Sequence, residues 1–384
     1  MATEESCLAD IENKRLIRLS KSCLGNAEKQ AVMGVLDREY LGMGAEVQQF
    51  EEALSEFFKR PVVCLSNGTA AMHLALQACG IGSGDEVLVP SLTYIASFQA
   101  ISATGAQPIA CDISNQTYLI DLVDTEKRLT SNTKAIMPVH YTGGVGDLGS
   151  VYKFAKKYNL RVIEDAAHAF GTTYRNNRIG SFGDVACFSF DGIKNITSGE
   201  GGCVVTEDED VLQKVRDARL LGVEKDTEKR FKGERSWEFN TTVQGWRYHM
   251  SNIMAAIGLE QLKRFQEIAT KRQNLAKLYD RLLLDQSIIK PVMRDYDTVV
   301  PHIYVVRIVG MKDKKEVQKK MLEVGVQVGS HYQPNHWLDL FNNNKENPLK
   351  VIDSVYGELL TLPLHSDLSE SDIHYITSKL INLF

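Results

Sequence analysis

A single lysine, Lys194, stands in FSFDGIKNITSGEGG (188–202), just beyond the apolar run VACFSF and just before GGCVVT. Apolar flanks make a solvated ammonium ion less favourable there. Desolvation lowers a lysine pKa and frees the neutral amine, the requirement for Schiff-base chemistry. Asp165 ends a second apolar run, RVIED, where an isolated buried carboxylate is costly and calls for a partner; a helix cap is the plainer reading. His168 follows three residues on, and alone it reads as a satisfied core histidine. After VVCLS comes Asn67-Gly68-Thr69, opening a helical pattern. Free N–H groups at a helix start, a glycine and a hydroxyl can cradle a phosphate, although the same turn serves as an ordinary N-cap. Ser189 lies beside Lys194 in the sequence.

These residues need elements to bring them together. Between about 60 and 206, short apolar runs alternate with helical patterns: VVCLS, EVLVPS, QPIACDI, KAIMPVHY, RVIED, VACFSF and GGCVVT read as strands. Such alternation predicts a largely parallel sheet with helices on both faces and ligands at the carboxyl ends of its strands. The order changes near residue 245. NIMAAIGLEQLKRFQEIATKRQNLAKLYDRLL has a long helical period, PHIYVVRIV reads as a strand, KKEVQKKMLEVG as a helix closed by Gly325, and DLSESDIHYITSKLINLF as a capped terminal helix. The division is therefore 1–249, with an amino-terminal helical segment, and 250–384, a smaller α/β domain. Between them, DTEKRFKGERSWEFNTTVQ is either a solvated loop or a lid or subunit contact.

With 384 residues and a formal charge of −5, the chain has room for two cores and no basic excess to favour nucleic acid. MATEESCLADIENK has no apolar stretch of the secretory kind, and no run approaches the roughly 18 apolar residues of a membrane span. Seven scattered cysteines without a CxxC pair suit the cytoplasm, and nine histidines without HxxxH or HExxH spacing argue against a metal.

A phosphate cradle, a strand-end carboxylate and a desolvated lysine are together what pyridoxal 5'-phosphate requires. The segments SNGTAAMHLAL, EVLVPSLTYIAS, VIEDAAHAFG, FSFDGIKNITSGEGG and GWRYHMSNIMAAIGLEQL, with an opening KSCLGNAEKQAVMGVLDREYLGMGAEVQQFEEALSEFF, also come in a telling order. In that order the chain resembles the fold-type-I sugar aminotransferases of the DegT/DnrJ/EryC1/StrS family.

The resemblance implies a large, mostly parallel seven-stranded sheet flanked by helices, plus the smaller carboxy-terminal α/β domain. It implies that Lys194 carries the cofactor and shuttles the proton, that Asp165 pairs with the pyridine nitrogen, and that His168 stands near the ring oxygen. Tyr94 would stack on the ring, and Gly68, Thr69 and Ser189 would contact the phosphate. It further implies a homodimer acting on a nucleotide-linked keto-sugar with glutamate (or 2-oxoglutarate in reverse). A 4-keto-6-deoxyhexose on dTDP is the first expectation, giving a 4-amino sugar for a surface polysaccharide such as an O-antigen. GDP, UDP and 3-keto substrates stay open.

Two segments depart from the family's common pattern. GWRYHM places Arg247 where an asparagine commonly reaches the neighbouring subunit's phosphate, so Arg247 is a cofactor clamp, a contact to the substrate diphosphate, or a plain surface residue. HYQPNHWLDLF (331–341) replaces the frequent HYxPLH. Other readings are a dehydratase relative, against which Lys194 argues, a non-catalytic regulator, and a dinucleotide oxidoreductase based on GIGSGDEV. In the last, the glycines precede a strand instead of opening a helix.

Overall fold

The computed structural model describes residues 16–342 and 348–384. MATEESCLADIENK and Cys7 lie outside the described residues. The large sheet is built from β1 (Val62–Leu65), β2 (Glu86–Pro90), β3 (Gln107–Cys111), β4 (Thr133–Ile136), β5 (Arg161–Asp165), β8 (Val185–Ser189) and β9 (Gly202–Thr206), after a short hairpin, β6 (Thr173–Tyr174) and β7 (Asn177–Arg178), is set aside. Their spatial order is β1-β9-β8-β5-β4-β2-β3, seven strands as the resemblance implies. All run parallel except β9, which pairs antiparallel with both β1 and β8.

Period-two alternation feeds two cores, one on each face. Val63, Leu65, Val185, Cys187 and Val204 face the helices Gly68–Ala78, Ile95–Ala103 and Glu209–Ala218. Val62, Cys64, Ala186, Phe188, Cys203 and Val205 face the helices Ala45–Phe58 and Leu148–Tyr158. Burial on both faces explains why these strands read as continuous apolar runs.

A separate antiparallel sheet, β10 (Ile289–Pro291), β11 (Tyr304–Ile308) and β12 (Leu359–Leu362), lies in the carboxy-terminal part. Its core includes Val306, Leu360, Tyr279 and Ile376. The terminal helix Glu370–Ile381 opens on a capping box between Ser369 and Asp372, as its sequence predicts.

The long helical stretch after residue 250 is two helices, Asn252–Lys263 and Phe265–Leu283, broken at Arg264. The break lets each half meet a different partner. The first half lies against the amino-terminal helices Asn26–Asp37 and Ala45–Phe58, where a Cβ on Gly258 would come within 2.5 Å of the Phe50 ring. The second buries Leu275, Ala276 and Tyr279 in the core of the smaller sheet. The charged stretch before residue 245 carries the short helix Asp226–Phe231, and beyond it Trp237 is 86% exposed.

Candidate active site

The carboxyl ends of β1, β2, β5 and β8 open on one side of the sheet, around a cavity of about 520 Å³. Gly68, Thr69, Tyr94, Asp165, His168, Ser189 and Lys194 all line it. Arg247 does not; it is exposed and paired through its backbone with Leu220.

Lys194 sits on the loop that joins β8 to β9, closed at its base by Phe190 N–H donating to the Gly201 carbonyl at 2.7 Å. The residue is half-buried, with its amine end enclosed, and desolvation lowers its pKa to about 8 against the opposing pull of Asp165 and Asp191. Lys194 Nζ lies 3.3 Å from His302 Nε2.

Asp165 is buried at the end of β5. Ser97 Oγ donates to its Oδ2 at 2.6 Å and Ala167 N–H to its Oδ1 at 3.2 Å, so the carboxylate has the partners its burial demands. His168 is also buried; its Nε2 is 3.0 Å from the Tyr332 hydroxyl and its Nδ1 has no partner in the protein. Burial, with Lys194 nearby, holds the imidazole pKa well below the usual range, so His168 is neutral.

The turn after β1 is both a cap and a cradle. Asn67 accepts from Ala70 N–H at 2.8 Å, which starts the helix Gly68–Ala78. A Cβ on Gly68 would stand 2.8 Å from Ser189 Cβ, and one on Gly202 would stand 2.5 Å from the Asn67 carbonyl oxygen. Glycine at both places lets the β1 and β8 turns approach each other closely. The segment 245–249 runs beside this edge, with Ser66 N–H donating to the Tyr248 carbonyl at 2.7 Å and His249 paired with Leu65.

Several site residues carry no signal of their own in the sequence. His302 precedes β11 and lies 108 positions from Lys194; Tyr332 stands 5.4 Å, ring to ring, from Tyr94, itself 57% exposed. Asn335, one of the departures in HYQPNHW, is buried and donates to the carbonyls of Ser91 (3.2 Å) and Thr93 (2.8 Å). His336 adds a 2.7 Å bond to Ser91 Oγ. The departing Asn335 and the family-typical His336 thus together tie this segment to the loop that presents Tyr94.

The donor set fits pyridoxal phosphate. It combines an enclosed amine, a carboxylate already oriented by two donors, a neutral buried imidazole with a free nitrogen, and a cradle that any side chain on Gly68 would fill. Among the described residues, no cluster of three or more His, Cys, Asp or Glu side chains could hold a metal ion. None of the described helices is long and apolar enough to cross a membrane.

A mostly parallel sheet with this lysine and carboxylate at its strand ends defines a fold-type-I pyridoxal phosphate enzyme. The chain belongs to the DegT/DnrJ/EryC1/StrS aminotransferase family, matched over residues 22–381. It is similar to the GDP-perosamine synthase of Caulobacter vibrioides (36% identity over 364 residues, 93% of this chain and 95% of the relative). It is also similar to the spore coat polysaccharide biosynthesis protein SpsC of Bacillus subtilis (34% over 359 residues, 91% and 92%). Among solved structures, Helicobacter pylori PseC, an aminotransferase of pseudoaminic acid biosynthesis, superposes with a TM-score of 0.89 at 28% identity, covering 96% of this chain and 99% of the other. The pyridoxal phosphate form of the Streptococcus pneumoniae sugar aminotransferase Spr1654 gives 0.87 at 28%, with 96% and 98% covered. This chain is accordingly an enzyme, a pyridoxal phosphate-dependent sugar aminotransferase.

Proposed function

We propose that the enzyme moves an amino group from glutamate to a keto-sugar carried on a nucleoside diphosphate, the sugar being a 4-keto-6-deoxyhexose destined for a surface polysaccharide. The observation that carries the chemistry is Lys194, its amine enclosed beside His302 in the cavity that Asp165 also lines.

In this reading Lys194 would hold the cofactor covalently at rest, and its Nζ, once released from that link by the incoming amine, would hold and deliver the proton at the amino-bearing carbon. Asp165 keeps the pyridine nitrogen protonated; Ser97 and the Ala167 N–H hold the carboxylate in register for that task. When bound, the cofactor supplies a conjugated electron sink. Gly68, Thr69 and Ser189 receive the phosphate, Tyr94 covers the ring and His168 lies near the ring oxygen.

Arg247, exposed in the single chain, belongs in this proposal to a homodimer, where it reaches the cofactor phosphate of the neighbouring subunit. The proposed division near residue 250 assigns the three-stranded sheet to a smaller unit, although the helix Asn252–Lys263 lies back on the amino-terminal helices. The first reading of the nucleotide is dTDP. A GDP-linked sugar is the second, favoured by the name and the 36% identity of the Caulobacter relative. Purified enzyme given glutamate and a panel of dTDP-, GDP- and UDP-linked 3-keto and 4-keto sugars, with amine products read by NMR, decides both base and ring position. No product from any 4-keto sugar would overturn the proposal.

A further inference from the structure

We propose that His302 positions the Lys194 amine, accepting a hydrogen bond from Nζ through an unprotonated Nε2. This rests on the role given to Lys194 above, and it adds a residue that comes from the far side of the chain.

Three observations support the pairing. The two nitrogens are 3.3 Å apart, and His302 is buried. The partners are held from both sides. Asn195, next to Lys194, donates to the Val300 carbonyl at 3.2 Å, while Arg272, buried on the helix Phe265–Leu283, donates to the His302 carbonyl at 3.1 Å and the Leu364 carbonyl at 3.2 Å. Finally, His302 Nδ1 has no partner in the protein. An imidazole kept only for packing would be replaced without loss by an apolar ring, because a buried, unpaired nitrogen costs stability. What the residue offers here is its other nitrogen.

The direction of the bond follows from the surroundings. Desolvation, helped by Lys194, His168, Arg272 and His331 around it, holds the His302 pKa well below the ordinary value. A protonated lysine can only donate. Nε2 therefore accepts and Nδ1 carries the hydrogen. Once the lysine is neutral, the same bond occupies one N–H and narrows the directions left to the Nζ lone pair. Desolvation lowers the Lys194 pKa, Asp165 and Asp191 raise it, and Arg272 lowers it further.

The test reads the amine itself. Full-length protein freed of pyridoxal phosphate is acylated with limiting acetic anhydride across neutral and alkaline pH, and each lysine is followed by mass spectrometry. Lys314, whose pKa burial also lowers to about 8, is an internal reference distant in sequence. In H302L the Lys194 midpoint moves to lower pH and its labelling at pH 7 rises about threefold, because the charged form has lost an acceptor. In H302Q, whose amide oxygen can accept, the midpoint returns toward wild type. Should H302L fail to fold by circular dichroism, H302M carries the same comparison. An unchanged midpoint in the apolar variant, or an equal fall in the glutamine variant, overturns the proposal. The measurement needs neither cofactor nor turnover, so it can fail while Lys194→Ala still abolishes activity, and the reverse.

Discussion

Lys194 has its pKa lowered from 10.5 to about 8 by desolvation, so in the cofactor-free protein the folded state disfavours the charged amine. The unfolded chain then binds more protons between those two values, and the stability contributed by this group rises with pH across that window. Below about 8 the residue is a net burden. Lys194→Ala should therefore abolish transamination and the cofactor absorbance band while leaving the fold intact. It should also stabilise the cofactor-free protein at neutral pH, with the gain shrinking as pH rises toward 10.5. Turnover at the wild-type rate would refute the assignment, and a flat stability difference across that range would refute the desolvation account. Asp165→Asn keeps the side chain's shape and removes its charge, so cofactor should remain bound while activity falls on the order of 10²-fold or more. Activity within about twofold of wild type would reduce Asp165 to a cap.

At the scale of elements, the segment 331–337 shows how a departure in sequence acquires a role. Asn335 is buried and bonded to two carbonyls of the loop bearing Tyr94, so Asn335→Leu should destabilise the protein by about 1–3 kcal/mol. It should raise KM more than it lowers kcat, since it loosens a cavity wall and touches no reacting atom. Equal melting temperatures for variant and wild type would show that the two bonds contribute nothing. The same segment marks where the sequence stops being legible. All seven strands of the large sheet stand in the primary structure as apolar runs, and their turns already carry Gly68, Asp165 and Lys194. A pattern of period two or 3.6 registers local burial, so it could not announce that β9 would run against its neighbours. Nor could it show that 252–283 breaks at Arg264, since both halves keep the helical period and only their distant partners differ. His302 was invisible for the same reason, and Tyr332 stood out only as part of HYQPNHWLDLF: each meets the site through chain separations above a hundred residues.

At the scale of the whole molecule, the amino-terminal helix and the following turn leave Met33, Leu36, Tyr40 and Leu41 exposed, and the 226–244 stretch adds Trp237 and Phe239. Apolar surface of this kind suits a partner, and the proposed homodimer supplies one. Sedimentation should find a dimer at micromolar concentration; a fully active monomer would contradict it. In Arg247→Ala, losing a charge-assisted bond should weaken pyridoxal phosphate retention by roughly tenfold to a hundredfold while sugar affinity holds. A defect in sugar affinity alone would move Arg247 to the substrate diphosphate, and no change in either would leave it a surface residue. The strand order also sets a timetable. β9 separates β1 from β8, so the Gly68 turn and the Ser189 turn cannot be held together until residues 202–206 have slotted between them. The imidazole facing Lys194 arrives about a hundred residues later still. On the ribosome, then, the emerging polypeptide carries an ordinary protonated lysine at 194, and its amine is tuned only once the segments made last have closed around it.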